Sequence, residues 1–537
     1  MGSADITART LAGLAKNPVA EPRYRLLLER YKNVLWPLGV AMTAAALCLP
    51  FLHMVYWLGD EGVLLDGATR MLDGGRLYKD FFEFLPPGGF ILTAGWLKIF
   101  GTTLASARVL AIATISGIAL FTYLACWIVS GSRAVSVAVP IAWIVMSQGQ
   151  WTVLNHHWLE SLFAIVTVWA TLGSLKEEHP SLRWPLIAGI AAGMACMIVE
   201  TCGAWVMLAA LPAFLIPRQR VADTISYIVG CGVFPAAILT YLALNHTLPA
   251  AYFDVVQFAA EHYASIQYTP YGMFANVQNL LLQFVFPVAV LLASVLAVWR
   301  WGSMREDRLF WQCTAFCIAG FLNCFPRPDI VHIGFAVPLA FPLLALSTIR
   351  ITSRAGSLSR TVIFATVSIL IAPTIAPYLM WTVKASRAPA IATPGGPATF
   401  PFSSGMPQII RQVDSLPAVD GYFYYPYLPL MPFLTGRSQV SQYDVFVPGY
   451  TLASQYRRAC RSVMRSASWV IIDQTEIDPG YLRRIFPSMR NPRPPETVSF
   501  EKVLYLVFRP VTRDGAFELL HRRPGIQTQN LCSAIKG

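Results

Sequence analysis

Charged side chains are scarce in this chain of 537 residues: they make up 13% of it, whereas hydrophobic residues make up 55%. The mean hydropathy is +0.51. An ordinary soluble domain carries about 25% charged residues, so this composition excludes that class of protein. Hydrocarbon is therefore the expected solvent for most of the chain.

Cysteine and histidine clusters with the spacing of a zinc site are also missing. Eight of the ten cysteines lie in or beside apolar runs, where a thiol behaves as a small hydrophobic group. Only Cys460 and Cys532 lie in polar sequence. The sequence therefore predicts no metal and no other cofactor; a divalent metal is compatible with it but is not indicated.

No basic face recurs at helical spacing, although the formal net charge is +12. The lysine and arginine residues form short clusters between apolar runs instead. A nucleic-acid-binding surface needs a continuous basic patch, so the sequence predicts no nucleic-acid partner. Internal repeats and low-complexity tracts are missing as well.

Long apolar runs are what the sequence has in abundance. A membrane-spanning helix needs about 20 mostly apolar residues, because a rise of about 1.5 Å per residue must cross about 30 Å of hydrocarbon. The predicted fold class is therefore a polytopic α-helical membrane protein, with membrane lipids as its surroundings. About eleven crossings are predicted, at residues 34–58, 104–129, 135–149, 158–174, 185–200, 203–217, 223–244, 279–299, 309–325, 333–348 and 361–382. The hairpin at 185–217 has short limbs and could instead be re-entrant.

The basic residues predict how the chain is oriented in the membrane. Residues 1–33 are polar and basic, and the run that follows is too long for the core of a signal peptide. We therefore expect a cytoplasmic N-terminal tail, a first span that acts as a signal anchor, and an extracytoplasmic C-terminus in the cytoplasmic (inner) membrane. The basic loop residues obey the positive-inside rule in this orientation, namely Arg133, Lys176, Arg183, Arg218, Arg220, Arg300, Arg305, Arg308, Arg350, Arg354 and Arg360.

The C-terminal part of the chain changes character at about residue 383. A segment rich in proline and glycine leads into alternating helical and strand-like patterns. These patterns predict helices at 404–414 and 452–466, and strands at 421–425, 468–473 and 502–509. Residues 383–537 are thus expected to form a small α/β domain outside the membrane, and residues 34–382 the transmembrane domain. Cys460 and Cys532 would lie on the oxidising side, where a disulfide is permitted.

The loop 59–103 after the first span contains an unusual density of charge. Its apolar positions predict two short amphipathic helices on the membrane surface, joined by a turn. Asp60 and Glu61 lie just beyond the extracytoplasmic end of the first span, which we call the lip. Partial desolvation there makes a carboxylate more basic. Asp66, Asp73 and Glu83 are expected on solvated faces.

This loop resembles the first extracytoplasmic loop of the GT-C glycosyltransferases, in the branch of the protein O-mannosyltransferases and aminoarabinose transferases. The residues that carry the resemblance are Asp60-Glu61, Tyr78, Asp80 and Pro86-Pro87-Gly88, running into Phe100-Gly101. The resemblance implies that Asp60 is a general base or orients the acceptor, with Glu61 as its neighbour or substitute. It also implies substrate or phosphate contacts for Tyr78, Lys79 and Asp80. Leu85 stands where the aminoarabinose branch has a basic phosphate contact, and Lys79 or Arg76 could compensate. The alternative is structural: Asp60 and the paired prolines would only start helices.

A second polar cluster precedes the span at 158–174 and is predicted to lie on the same side as Asp60. It contains His156, His157 and Glu160. Ionisable residues at this depth cost about 2.5 to 3.5 kcal/mol when charged at mid-helix, so they are rarely incidental. The GT-C resemblance implies a second acidic residue at Glu160, and a phosphate or sugar contact at His156 or His157. A zinc pair is the alternative, but adjacent helical residues point about 100° apart.

A third cluster, Arg327, Asp329 and His332, lies between two predicted spans on the same side again. An arginine fork binds phosphate bidentately, so the cluster suits a phosphate clamp in which Asp329 orients one partner. The alternative is a loop whose Arg327 reaches the lipid headgroups. The tyrosine-rich loop 245–278 is expected to close over the site.

The three clusters lie on one side of the membrane and support a single site; the GT-C resemblance implies that this site is that of a membrane glycosyltransferase with an inverting mechanism. It would move a sugar from a polyprenyl-phosphate carrier to an envelope glycan such as lipopolysaccharide, a lipid or a protein, on the outer face of the membrane. A transporter or flippase of a lipid-linked or anionic solute is the main alternative. Transporters place polar groups near the midplane and often show paired halves, which this sequence does not. A receptor or scaffold is a third class.

Overall fold

The computed structural model describes residues 21–177, 181–215, 221–353, 357–403 and 405–535. Most of the predicted N-terminal tail lies outside these residues, as do Arg218, Arg220 and Arg354.

Helices make up the N-terminal two thirds of the chain. They are α1 (Glu21–Cys48), α2 (Asp60–Leu72), α3 (Gly88–Phe100), α4 (Leu104–Ser130), α5 (Arg133–Ser147), α6 (His156–Lys176), α7 (Arg183–Ile198), α8 (Glu200–Leu215), α9 (Val221–Leu244), α10 (Val285–Trp299), α11 (Arg308–Asn323), α12 (Ile330–Ala336), α13 (Phe341–Thr352) and α14 (Ser357–Arg387). Four shorter elements lie between α9 and α10 in the described residues. Two are single α-helical turns at Leu248–Ala251 and Ala264–Gln267; the others are a π-helix at Tyr252–Tyr263 and a 3₁₀ segment at Leu280–Phe284.

Six helices among the described residues are long and apolar enough to cross a membrane. They are Val34–Phe51, Leu104–Ser130, His156–Lys176, Val221–Leu244, Leu280–Trp299 and Ala365–Arg387. The pair Ile330–Leu339 and Phe341–Thr352 passes the same test together but is bent by 62°, which gives up to seven spans. The helical membrane fold is thus confirmed. Each predicted span coincides with a helix, but α5, α7 and α8 are short, so the count of about eleven crossings stays a prediction.

Small residues bring the central helices together. A Cβ atom on Gly189 of α7 would lie 2.2 Å from the carbonyl oxygen of Tyr227 in α9, and one on Gly193 would lie 2.5 Å from that of Cys231. Only glycine allows backbones to approach this closely. The hydrophobic core of the membrane part continues through α4, α6, α10 and α13, with Trp143 and Trp158 fully buried in it.

The described residues of the C-terminal region form a four-stranded sheet, five α-helices and a 3₁₀ helix at Leu531–Ala534. The helices are α15 (Gly405–Asp414), α16 (Leu430–Thr435), α17 (Ala453–Ser466), α18 (Pro479–Ile485) and α19 (Pro495–Val507). After a two-stranded ribbon of β1 (Ala390–Ile391) and β2 (Ala398–Thr399), the sheet strands are β3 (Tyr422–Tyr425), β4 (Trp469–Asp473), β5 (Phe508–Asp514) and β6 (Phe517–Arg522), in the order β3-β4-β6-β5. Strands β3 and β4 are parallel and the other pairs are antiparallel. A disulfide joins Cys460 of α17 to Cys532.

One predicted strand of this region is wrong. Residues 502–507 belong to α19, and only Phe508 and Arg509 of the segment 502–509 are in a strand. Pro495 starts the helix, where a missing N–H costs nothing. Phe500, Leu504 and Val507 then face the core at spacings of three and four residues, which is the helical period.

The C-terminal region is attached to the segment that precedes and begins α2. Backbone hydrogen bonds join Val55 N to Thr399 O at 2.8 Å and Leu430 N to Leu58 O at 2.9 Å. A Cβ atom on Gly62 would lie 2.0 Å from the backbone nitrogen of Leu430. A single hydrophobic core contains residues from α2, α3 and the C-terminal sheet. The lip of the first span is therefore positioned by both parts of the chain.

Candidate active site

Asp60 begins α2 immediately after Gly59. The indole of Trp57 folds back over Gly59, since a Cβ atom there would lie 2.5 Å from the ring. Oδ1 of Asp60 accepts a hydrogen bond from the hydroxyl of Tyr427 at 2.8 Å. Burial raises the pKa of the Asp60 carboxyl; the Tyr427 hydroxyl and the charges of Arg327 and His332 lower it, but the net shift is upward. The carboxylate is thus more basic than an ordinary aspartate, which suits a proton acceptor.

Glu61, the neighbour of Asp60, is bound in a different way. Its Oε2 accepts a hydrogen bond of 2.7 Å from Nη2 of Arg108, and its Oε1 accepts one of 3.0 Å from the backbone N–H of Leu154. The side chains of Glu61 and Arg108 are only 4% and 1% exposed. Both carboxylate oxygens are therefore occupied, and the pair ties α2 to α4 and to the start of α6.

Arg327, Asp329 and His332 form one hydrogen-bonded group. Nε of Arg327 donates to Asp329 Oδ2 at 2.7 Å, and Nδ1 of His332 lies 2.8 Å from Oδ1. Burial raises the pKa of Asp329, but the charges and hydrogen bonds of His332 and Arg327 outweigh this effect and lower it to about 2. The carboxylate is thus ionised and can only accept, so Nδ1 of His332 carries the proton and Nε2 is directed elsewhere.

Arg327 is also held by two other parts of the chain. Its Nη1 donates to Oε1 of Gln267 at 3.1 Å, and its Nη2 donates to the carbonyl of Ile485 at 3.1 Å. The guanidinium lies 5.1 Å above the ring of Phe486. A guanidinium has more N–H groups than these partners and Asp329 use, so donors remain for a ligand.

A small cavity of about 60 Å³ lies between these groups. Its walls include His156, His157, Asn323, Arg327 and His332. The rings of His157 and His332 are 5.0 Å apart. Nδ1 of His156 and Oδ1 of Asn323 are buried without a hydrogen-bond partner. Buried polar atoms of this kind need a partner, so the cavity is suited to a polar ligand.

Glu160 follows His156 by one helical turn along α6 and is 3% exposed. Its Oε1 has no hydrogen-bond partner. It is not among the residues that line the cavity. The structure thus places His156 and His157 in the same cavity wall as Arg327 and His332, whereas Glu160 is buried outside that wall.

The three predicted contacts in the turn of the loop are dispersed. Tyr78 is buried and donates its hydroxyl to the carbonyl of Leu85 at 2.7 Å, which fixes the segment before the paired prolines. Lys79 is exposed, and Asp80 pairs with Arg76 at 2.9 Å on the surface. Leu85 lines the cavity, whereas Lys79 and Asp80 do not.

The expectation of solvated faces is wrong for two acidic residues of the loop. Asp66 is 4% exposed and Glu83 is 2% exposed. Arg70 binds Asp66 at 2.7 Å and also binds Asp444 of the C-terminal region at 2.6 Å. The loop packs beneath the C-terminal region, so these side chains face that interface and not water.

Several site residues come from distant sequence and were not predicted. Tyr427 is 367 residues from its partner Asp60. Tyr450 accepts from Gln267 and packs against Tyr263, with ring centroids 5.4 Å apart. Of the tyrosine-rich loop 245–278, Tyr263 lines the cavity. No local pattern marks Tyr427 or Tyr450, because only the fold of the C-terminal region brings them to the lip.

Among the described residues, no group of three or more His, Cys, Asp and Glu side chains could hold a metal ion.

Architecture and site together define a polytopic membrane protein with a polar cavity lined by His156, His157, Arg327 and His332. Asp60 does not line this cavity, but its carboxyl interacts electrostatically with Arg327 and His332. The fold is similar to that of ArnT from Cupriavidus metallidurans bound to undecaprenyl phosphate, with a TM-score of 0.53 and 13% identity, covering 92% of this chain and 98% of that one. ArnT in the apo state gives a TM-score of 0.53 and 13% identity over 95% of this chain and 100% of that one.

An archaeal enzyme has a similar fold. It is the Archaeoglobus fulgidus oligosaccharyltransferase tethered to an acceptor peptide, with a TM-score of 0.51 and 12% identity, covering 92% of this chain and 75% of that one. No protein-family model matches the sequence, and no curated protein matches it. At 12–13% identity these structures establish a shared overall fold, which agrees with the GT-C resemblance of the loop 59–103.

Proposed function

We propose that the protein is a membrane glycosyltransferase. It takes a sugar from a polyprenyl-phosphate carrier and transfers it to a glycan, lipid or protein of the cell envelope, lipopolysaccharide included. The reaction takes place on the outer face of the cytoplasmic membrane, with the N-terminus inside. The observation that supports this most is the placement of Asp60, an unusually basic carboxylate, within electrostatic reach of Arg327 and His332.

The proposed reaction is an inverting displacement with Asp60 as general base. An acceptor hydroxyl gives its proton to the free oxygen of Asp60 while its own oxygen attacks the anomeric carbon of the sugar. The bond from that carbon to the phosphate oxygen breaks, and its electron pair leaves with the lipid phosphate. Tyr427 keeps the carboxylate oriented through its 2.8 Å hydrogen bond.

The leaving phosphate is bound on the side of the cavity that carries Arg327. The free N–H groups of Arg327 stabilise the negative charge that develops as the phosphate departs. His332 adds a donor at Nε2 when both of its ring nitrogens carry a proton. Asp329 positions both, since each donates to one of its oxygens. The unpaired Nδ1 of His156 and the ring of His157 complete the polar wall.

Two structural neighbours support the choice of partners. One is bound to undecaprenyl phosphate and another is tethered to an acceptor peptide. A carrier of that kind explains the membrane fold, because its hydrocarbon chain stays in the bilayer while its phosphate reaches the lip.

The test is a mass analysis of envelope glycolipids and glycans from cells that carry the wild-type gene, a deletion, or the variant Asp60→Asn. We expect the deletion to remove a sugar from one fraction and Asp60→Asn to reproduce that loss. Asp73→Asn is the matched control, because Asp73 ends the same helix but is exposed. A full set of sugars in both the deletion and the Asp60→Asn cells would contradict the proposal, and a transporter would retain its function in Asp60→Asn.

A further inference from the structure

A second cavity, much larger than the first, lies on the C-terminal region. Its volume is about 460 Å³, and its walls include Gln474, Tyr481, Arg484 and Arg513. Arg484 belongs to α18 and Arg513 to β5, so a helix and a strand provide one cation each. We refer to this cavity as the outer groove. The reaction described above makes no use of it.

The outer groove is connected to the lip of the first span by a short chain of contacts. The segment 474–481 that lines the groove also carries Glu476, whose Oε1 accepts a hydrogen bond of 2.6 Å from the indole of Trp57. The ring of Trp57 lies 5.4 Å from that of Tyr427, which in turn binds Asp60. The wall of the groove and the proposed general base are therefore joined through two side chains.

Glu476 has unused hydrogen-bonding capacity at this junction. It is 7% exposed, and its Oε2 has no hydrogen-bond partner. Burial, together with the nearby charges of Asp473 and Asp60, raises the pKa of Glu476 well above its ordinary value. A neutral carboxyl can accept from Trp57 and donate to a hydroxyl at the same time. Glu476 is not among the lining residues of the groove, so its role there is to hold the groove wall against Trp57.

The chemistry of the groove favours a negatively charged sugar. Neither Arg484 nor Arg513 forms an ion pair with a carboxylate of the residues that the structure describes. A guanidinium binds phosphate or carboxylate through two parallel N–H bonds. Arg484 lies 5.5 Å from the ring of Tyr481, whose apolar face can pack against a sugar ring. The wall carries two guanidinium groups and one carboxylate, Asp478. This excess of positive charge, together with the ring of Tyr481, matches a saccharide that carries an anionic group.

We propose that the outer groove binds the acceptor, and that the acceptor is an anionic saccharide whose phosphate or carboxylate is held by Arg484 and Arg513. Glu476 lies in the same segment as the groove residues Thr475 and Asp478, and through it the groove wall contacts Trp57. This inference rests on the proposed glycosyl transfer and adds the chemical class of the acceptor to it.

Ligand binding by the full-length protein in phosphatidylcholine nanodiscs tests the inference. The probes are glucosamine 1-phosphate and glucosamine, followed by saturation-transfer NMR. We expect the wild-type protein to bind the phosphorylated sugar at least about tenfold more tightly than the neutral one. The double variant Arg484→Ala, Arg513→Ala should lose this preference. Arg483→Ala is the matched control, since Arg483 is an exposed neighbour on the same helix but does not line the groove.

Three outcomes would overturn the inference. The first is equal binding of both probes to the wild-type protein, and the second is unchanged binding to the double variant. The third is loss of probe binding in phosphatidylglycerol nanodiscs, which would assign the groove to a lipid headgroup. Asp60→Asn separates this inference from the proposed function: it should bind the phosphorylated probe like the wild-type protein. If Asp60→Asn binds the probe but also transfers sugar normally, the groove stands and the proposed reaction fails.

Discussion

Helix α2 presents its carboxylates in two different regions of the molecule. At its N-terminus, Asp60 has one hydroxyl partner, Tyr427, and lies within reach of Arg327. One residue later, Glu61 is enclosed between Arg108 and the backbone of Leu154. The first region has a carboxylate with an oxygen left for a ligand, whereas the second has a carboxylate that only the protein uses.

The second region continues along the helix in the pair of Asp66 and Arg70. Arg70 also reaches Asp444, so one cation serves a carboxylate on each side of the interface with the C-terminal region. The comparison teaches that density of charge does not identify a catalytic group. What distinguishes Asp60 is that its hydrogen bonds inside the protein are incomplete, since a reacting group must keep capacity for its substrate.

The largest expected effect separates the two regions by activity. Asp60→Asn removes the proton acceptor but retains an oxygen for Tyr427, so we expect sugar transfer to fall by about 10² to 10⁴-fold. The thermal unfolding midpoint, followed by tryptophan fluorescence in detergent, should not fall. Burial raises the pKa of Asp60, so its charge opposes folding at neutral pH and the neutral amide relieves that cost. A large drop in the midpoint would show that Asp60 is mainly structural.

Glu61→Gln should have the opposite profile. Removing one charge from a buried pair leaves Arg108 uncompensated, which costs about 3 to 5 kcal/mol of folding free energy. We expect a clearly lower unfolding midpoint in the same fluorescence assay. The protein that remains folded should transfer sugar at a normal rate per molecule. A stable but inactive Glu61→Gln variant would instead place Glu61 in the reaction.

Acidification should protonate Asp60, and so stop sugar transfer, at a higher pH than it would protonate an ordinary aspartate. The base must be deprotonated, and its pKa is raised above the ordinary 3.8 by burial. Transfer should therefore fall as the pH drops through this raised pKa, by about tenfold for each further unit. The measurement is a pH profile of the transfer rate at saturating donor. A rate that stays constant down to about pH 4 would contradict a raised pKa.

Arg327→Lys should weaken donor binding. Lysine keeps the charge but cannot contact Asp329, Gln267 and the carbonyl of Ile485 together, as the arginine does. We expect the KM for the polyprenyl-phosphate sugar to rise about tenfold or more. Arg483→Lys provides the control, because that residue is exposed and is not among the residues that line the cavity. Equal KM values for the two variants would remove Arg327 from the phosphate site.

Asp66→Asn should have the smallest effect. Burial raises the pKa of Asp66 to about 7, with Arg70 opposing and Asp444 reinforcing the shift. A raised carboxyl pKa means that the stability is fully present below the ordinary pKa of 3.8 and is lost as the pH rises through 7. The neutral amide should therefore leave the unfolding midpoint unchanged in acid, where Asp66 is protonated in both states, and flatten its decline between pH 3.8 and about 7. A loss as large as that of Glu61→Gln would show that Asp66 is charged.

Local patterns in the sequence predict the elements well. The apolar periodicity of the loop 59–103 predicts two short amphipathic helices joined by a turn, and the structure has helices at Asp60–Leu72 and Gly88–Phe100. The predicted strand at 502–509 is wrong. Its apolar residues fit both the helical and the strand period, and Pro495 at the first helical position marks the start of a helix instead. Burial of Asp66 could not be predicted either, since the surface that covers it includes Asp444, far along the chain.

The candidate site is less accessible to sequence reasoning because its contacts are long-range. Arg108, which binds Glu61, lies 47 residues further along the chain. Tyr427 is 367 residues from Asp60. No spacing rule relates such residues, so the two neighbouring carboxylates could not be told apart before the fold was known.

The most direct test of the central claim is the turnover of a polyprenyl-phosphate sugar by purified Asp60→Asn protein in nanodiscs. A membrane-envelope extract supplies the acceptor, and the readouts are donor binding and release of polyprenyl phosphate. The account predicts that the variant binds the donor as the wild-type protein does and releases almost no polyprenyl phosphate. Release at the wild-type rate would contradict the claim that Asp60 accepts the proton.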